Sequence, residues 1–196
     1  MLLVDRPLLL ANLGYLGHMW ELYAMWAWLA LYLTAALHDA VAASWLTFAS
    51  IAAGGPASVA AGWLADRWGR TRTTSLAMAI SGACALGIGF FFHAGAVWLA
   101  AVALVWGFAV VADSAQFSAC TSELCEPHHI GTALTLQNSL GFFLTMVTIR
   151  LVPQVDRWVG TQWSMAFLAI GPACGIAAML RLRRMPEAER IAGGRR

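Results

Sequence analysis

The sequence predicts an all-α membrane protein with six transmembrane helices, and two observations carry this prediction. Of the 196 residues, 60% are hydrophobic and only 11% are charged, and the mean hydropathy is +0.69. A soluble domain of this size needs a more highly charged surface to stay dispersed. The chain also contains several long, nearly uncharged apolar runs, which are typical of helices that cross a bilayer.

Six apolar runs are long enough to cross the membrane. They lie at about 8–35, 42–65, 73–93, 96–119, 131–153 and 161–182, and each has the ~20 residues that a bilayer core requires, or somewhat more with tilt. Short connections between them predict that neighbouring helices run antiparallel. We expect one transmembrane bundle over residues 1–184 and a basic tail at 185–196 that frays in water near the inner leaflet.

The distribution of arginine predicts the orientation. All 12 basic residues are arginine, and only Arg150 and Arg157 lie near the outer face when the amino terminus is placed inside. This positive-inside bias predicts that both termini are cytoplasmic. The absence of lysine, together with the many alanines, suggests a GC-rich bacterial genome and hence the bacterial cytoplasmic membrane.

Composition and motifs exclude several functional classes. A net charge of +2 is too small to indicate a nucleic-acid partner, and the four cysteines have no metal-ligand spacing. We therefore expect no metal and no cofactor. The sequence lacks His-Glu-x-x-His, the nucleophile turn of an intramembrane serine protease and the paired Asn-Pro-Ala of a water channel. We expect no enzymatic activity.

A charged loop joins the second and third spans and reads GWLADRWGRTR. Gly69 permits a tight turn, and Asp66 can pair with Arg70 or with a helix amino terminus. The pattern closely resembles the loop signature of the major facilitator superfamily, Gly-x-Leu-Ala-Asp-Arg-x-Gly-Arg followed by a basic residue. The matching residues are Gly62, Leu64, Ala65, Asp66, Arg67, Gly69 and Arg70, with Arg72 one position late.

The stretch TSELCEPHHIGTALTLQ, residues 121–137, looks like the family's loop between its fourth and fifth helices, with Ile130 where an arginine is common. The resemblance implies a six-helix half made of two inverted three-helix repeats, most like the carboxy-terminal half. It also implies a secondary transporter that works by alternating access. The residues that it implies for a cytoplasmic gate are Gly62, Asp66, Arg67, Gly69 and Arg70.

Members of that family normally have two such halves, with the substrate site between them near the midplane. This chain has the length of one half. Two alternatives stay open. The chain is a half-length transporter that forms a homodimer or joins a separate complementary half, or it is a truncated or non-transporting fragment or scaffold that needs a second half to function.

Ionisable residues occur inside the first and fourth spans, which are the first helices of the two implied repeats. At about 100° per residue, His18 and Glu21 share one stripe of the first helix with Trp28 and Tyr32. The fourth span has a matching stripe with Asp113, and Gln116 lies at its margin. An ionised carboxylate inside the membrane costs at least about 2.5–3.5 kcal/mol, so it should face a cavity or a partner.

We therefore predict that these residues line the solute cavity and couple transport to protons. The alternative is a structural pair in which His18 and Glu21 satisfy each other across one helical turn. The fifth span adds Asn138 and Arg150, which can bind a solute or hold helices together. A small polar or anionic solute and an amphiphilic drug both fit this set of side chains.

Overall fold

The computed structural model describes residues 5–195, which form helices joined by short turns. The α-helices of this range are α1 (Arg6–Leu37), α2 (Ala40–Ala52), α3 (Gly54–Trp68), α4 (Arg70–Gly87), α5 (Ala96–Ala112), α6 (Ser114–Leu124), α7 (Ile130–Val159) and α8 (Ile170–Arg183). Short 3-10 segments lie at Ile88–Phe91, Pro127–His129, Thr161–Trp163, Ala166–Ala169 and Pro186–Gly194. The predicted all-α fold is confirmed.

Two of the predicted spans each consist of two helices in succession. The second span is α2 followed by α3, with a break at Ala53, and the fourth is α5 followed by α6, with a break at Asp113. Pro56 explains the first break, because proline has no N–H to donate and its ring crowds the carbonyl one turn earlier. Both breaking residues keep right-handed helical dihedrals, so each pair continues as one long segment.

Five helical segments of the described range are long and apolar enough to cross a membrane: Ala40–Trp68, Arg70–Phe91, Ala96–Leu124, Pro127–Val159 and Thr161–Arg183. The helix α1 has 32 residues, which is long enough, but its aromatic and ionisable side chains lower its hydropathy. The helices α2, α6, α7 and α8 pack around it. A helix sheltered in this way tolerates polar residues that lipid would not.

The packing of the spans follows a reciprocal pattern. The first span, α1, packs against the fifth (α7) and the sixth (α8), while the fourth span packs against the second and the third. The third and sixth spans also pack against each other through α4 and α8. The interior is filled by large buried side chains that include Met25, Tyr32 and Trp106.

The carboxy-terminal segment folds back onto the bundle. Pro186–Gly194 forms a 3-10 segment in which Ala188 and Ile191 are fully buried. Ile191 belongs to an apolar cluster with Leu124 of α6 and Leu182 of α8. The expectation of a frayed tail is therefore wrong, because these apolar side chains add to the core and hold the segment in place.

Two helix crossings require glycine because the backbones meet there directly. A Cβ on Gly107 of α5 would overlap the carbonyl group of Ser50 in α2. Likewise, a Cβ on Gly17 of α1 would overlap the backbone of α8 at Gly171 and Gly175. A backbone cannot move aside as the end of a flexible side chain can, so any larger residue must push these helices apart.

We expect Gly107→Ala to lower the thermal unfolding midpoint of the detergent-purified protein, because the new methyl group overlaps the Ser50 carbonyl. Overpacking of this kind costs about 1–3 kcal/mol. Gly55→Ala is a matched control, since nothing lies within 4 Å of the Cβ position at Gly55. Equal midpoints for the two variants would contradict the close packing of α2 on α5.

Candidate functional site: a buried polar cluster and the Arg70 network

Glu21 lies in the middle of α1 and is only 1% exposed. Its carboxylate accepts two hydrogen bonds from other helices. The Ser81 hydroxyl of α4 donates to Oε2 at 2.8 Å, and the Trp106 indole N–H of α5 donates to Oε1 at 2.8 Å. Both carboxylate oxygens therefore have a donor, which offsets part of the cost of removing them from water.

His18 lies about one turn before Glu21 and faces Asp113 at the junction of α5 and α6. Its Nδ1 is 2.9 Å from Oδ1 of Asp113, and both side chains are 2% exposed or less. The rings of Tyr15 and Phe117 pack against the imidazole. Within residues 5–195, Nε2 of His18 has no hydrogen-bond partner. A protonated imidazole would form an ion pair with the Asp113 carboxylate at this distance.

The buried polar cluster is the set His18, Glu21, Ser81, Trp106 and Asp113. It contradicts the alternative in which His18 and Glu21 satisfy each other, because each has its partner on another helix. The cluster points into the bundle rather than toward its surface. The role of its ionisable members in coupling stays a prediction.

Trp28 and Tyr32, the other members of the predicted stripe, lie nearer the carboxy-terminal end of α1. The Trp28 indole donates to the carbonyl of Ile149 at 2.9 Å, and the Tyr32 hydroxyl donates to the carbonyl of Gln162 at 3.1 Å. Both side chains line a cavity of about 260 Å³, together with Asp156. The predicted stripe thus has an enclosed part at Glu21 and a part that borders free space.

The predicted residues of the fifth span lie on the outside of the bundle. Asn138 is exposed and accepts a hydrogen bond from the hydroxyl of Tyr15 at 3.1 Å. Arg150 is exposed on α7, far along the helix from Asn138. Exposure to a second protein surface or to a water-filled cavity would suit both side chains better than exposure to lipid.

Arg70 is the centre of a second network, the Arg70 network, at the end of the bundle where α3 meets α4. Its Nε and Nη2 donate to the two carboxylate oxygens of Glu123 at 3.0 and 2.8 Å, and its Nη1 donates to Oε1 of Gln116 at 2.7 Å. Glu123 also accepts the backbone N–H of Ala192 at 2.9 Å. The network therefore ties α4 to α6 and to the carboxy-terminal segment through charge-assisted bonds.

The remaining loop residues surround this network. Gly69 has φ 94° and ψ 150°, a conformation that favours glycine, and it separates α3 from α4. Arg67 stacks its guanidinium over the Trp63 ring at 3.7 Å, and Gly62 lies on α3 with open space beside it. Asp66 is exposed, and its backbone carbonyl accepts a hydrogen bond from Arg195.

Of the two partners that the sequence allows for Asp66, Arg70 or a helix amino terminus, Arg70 uses its guanidinium for other residues in this structure. The guanidinium instead binds Glu123 and Gln116, which lie two helical turns apart on one face of α6. Gln116, at the margin of the stripe on the fourth span, belongs to this network, and its contact with a solute stays a prediction.

The sequence match decides the family. Residues 11–196 match the profile of the Major Facilitator Superfamily. The chain belongs to the major facilitator superfamily. The resemblance carried by the loop signature is therefore confirmed, and the chain is a multi-pass membrane protein, with lipid around it, of a superfamily of transporters for small solutes. No curated protein matches the sequence.

Several partners within this major facilitator chain escaped sequence reasoning. Trp106 and Ser81 look like ordinary residues of apolar spans, and helical periodicity shows only that Trp106 shares a stripe with Asp113. The pairing of Glu123 with Arg70 had a visible signal, because Glu123 lies seven residues after Gln116 and so on the same helix face. Which helix that face meets is decided only by the folded packing.

We expect Arg70→Ala to loosen this end of the transporter and to expose Cys120, which is buried on α6 between Gln116 and Glu123. The lost bonds involve a charged group and contribute about 1.5 kcal/mol or more, so labelling of Cys120 by a maleimide should accelerate about tenfold. The measurement uses a background in which Cys84, Cys125 and Cys174 are replaced by serine. Arg72→Ala is the control, since Arg72 is exposed; equal rates in the two variants would sink the idea.

Proposed function

We propose that this bundle is one half of a proton-coupled secondary transporter, which moves a small solute across a bacterial cytoplasmic membrane by alternating access. One observation carries the proposal: the ionisable residues His18, Glu21 and Asp113 are buried together at 1–2% exposure. Such residues inside a membrane protein are costly and usually functional. The Arg70 network serves as the cytoplasmic gate.

The hydrogen bonds of Glu21 suit a group that exchanges a proton. An indole N–H can only donate, whereas a hydroxyl both donates and accepts. A protonated Glu21 can therefore donate from Oε2 to Ser81 while Oε1 still accepts from Trp106. The Ser81 hydroxyl then turns to the carbonyl of Met78, which is 3.3 Å away. Both protonation states find partners without any movement of the backbone.

The pair of His18 and Asp113 provides a second proton site beside the first. His18 precedes Glu21 by three residues, or about 4.5 Å of helical rise. Asp113 lies at the break between α5 and α6, where the helical hydrogen-bond ladder is interrupted. A change of charge at this pair would act on the joint of the fourth span and so bias its bend.

We assign contact with the solute to those residues of the predicted site that border free space. Trp28 and Tyr32 line the cavity of about 260 Å³, and Asn138 and Arg150 are exposed on α7. In this proposal these four side chains line successive parts of the solute's path, while the buried polar cluster acts behind them.

The packing pattern supports a pair of inverted three-helix repeats. In this arrangement α1 also crosses the membrane and is added to the five segments that are apolar enough to do so. Exchanging the two repeats turns the first span into the fourth, the second into the fifth and the third into the sixth. The observed contacts obey that exchange, because the first span packs on the fifth and sixth and the fourth packs on the second and third. With six spans both termini lie on the same side of the membrane, and the arginine distribution predicts that this side is the cytoplasm. The bundle also includes the carboxy-terminal segment.

The exposed face of α7, which points away from the bundle, supports the proposal that a second half is required. Ser139, Met146 and Arg150 share this face and are all exposed. An arginine in contact with lipid is costly, and a second half would cover it. The buried polar cluster, in contrast, needs no such cover. A second copy of this chain or a separate complementary half fits the face; a fragment that only scaffolds would leave it bare.

Infrared difference spectroscopy of the purified protein tests the coupling. Acidification should produce the C=O stretching band of a protonated carboxylic acid, and Glu21→Gln should remove part of that band. In proteoliposomes with an imposed pH gradient, the same variant should lose at least about tenfold of the solute flux, as expected when a proton-transferring group is removed. A full band and unchanged flux in Glu21→Gln would exclude Glu21 as the coupling group. Asp5→Asn, at the exposed start of α1, is the control for the flux measurement.

The mass of the protein in detergent tests the requirement for a second half. We expect light scattering to give a protein-only mass of about twice that of the chain, because a partner copy covers Arg150 on the exposed face of α7. Replacing Arg150 with leucine should shift the protein toward the monomer. A stable monomer that carries no flux would favour a separate complementary half or a scaffold.

A further inference from the structure

The turn between α6 and α7 brings three metal-ligand side chains together. Glu126, His128 and His129 each offer one ligand atom, and these atoms all lie within 4.8 Å of one another. The Nε2 of His128 is 3.2 Å, and the Nδ1 of His129 is 3.5 Å, from the same Glu126 oxygen, Oε2. We propose that this turn binds a divalent first-row transition metal ion, with Zn²⁺ as the best match.

The distances fit a tetrahedral ion. Zinc bonds to histidine nitrogen and carboxylate oxygen are about 2.0–2.1 Å long, so two ligands of a tetrahedral site lie about 3.3 Å apart. The two measured distances, 3.2 and 3.5 Å, fall on either side of that value. Two imidazoles and one carboxylate form a ligand set that suits zinc, and a water molecule can occupy the fourth position.

The backbone holds the ligands in this arrangement. Pro127 opens the single 3-10 turn Pro127–His129, and its ring fixes the backbone directly after Glu126. The N–H of His129 donates to the carbonyl of Glu126 at 2.9 Å, which closes the turn. Within the described chain, Nδ1 of His129 has no hydrogen-bond partner although the atom itself is buried. That nitrogen is therefore available to a metal.

The short turn brings these residues close together, but ion pairing alone holds their side chains only weakly. Glu126 and His128 are exposed, and exposed ion pairs contribute about 0–1 kcal/mol. A bound dication would be the common partner of all three side chains and would neutralise the carboxylate that both imidazoles share. It would also fasten the end of α6, which carries Glu123 of the Arg70 network, to the start of α7.

Titration of the detergent-purified full chain with Zn²⁺, followed by isothermal calorimetry, tests the site. The protein is produced without a histidine tag and is first stripped with a chelator. We expect one ion per chain, and Co²⁺ in its place should give the visible absorption of a tetrahedral complex. Glu126→Gln and His128→Ala should each weaken binding at least about 10–100-fold, the effect that even indirect partners of a metal ligand have.

His38→Ala and His93→Ala are the matched controls, because both histidines are exposed on other turns of the chain. They should bind Zn²⁺ as the unaltered protein does. Thermal midpoints measured without metal confirm that every variant is folded, and Zn²⁺ should raise the midpoint only where the site is intact. Absence of saturable binding, or equal weakening in His93→Ala and His128→Ala, would overturn the proposal.

Discussion

The carboxylate of Glu21 is the interaction on which the rest of the structure depends. It accepts the Ser81 hydroxyl from α4 and the Trp106 indole from α5, and so joins the first, third and fourth spans at one point. A buried acceptor with two donors defines which helix faces meet, in a way that apolar packing alone does not.

Two polar networks lie at different positions along the bundle. The buried polar cluster lies in the interior and is sealed by packing, while the Arg70 network lies at one end and links α4, α6 and the carboxy-terminal segment. They share α4 and the fourth span, because Ser81 and Arg70 both lie on α4, and Asp113 and Gln116 lie one turn apart. A shift of the fourth span relative to α4 would alter both networks together.

Sequence reasoning reached the fold class and the family, since composition, apolar runs and the loop GWLADRWGRTR are local properties of the chain. It also selected His18, Glu21 and Asp113, because ionisable residues are conspicuous in apolar spans. It could not find their partners. Periodicity says which residues share a stripe, but the direction of that stripe depends on how the helices pack. The sequence allows the carboxylate on the α1 stripe to face a cavity or a partner, and in the folded bundle it faces two partners, Ser81 and Trp106. The low hydropathy of α1 likewise does not show where the helix lies, because the surrounding helices shield its polar side chains from lipid.

The central position of α1 has a consequence for biosynthesis. This helix is synthesised before α4 and α5, so Glu21 must wait 60 residues for Ser81 and 85 residues for Trp106 before its carboxylate is satisfied. Until then, a weakly apolar helix with an unpaired acid has to be inserted or sheltered by the translocation machinery. The later helices therefore stabilise α1 in the membrane, and its insertion becomes stable only after α5 has been made.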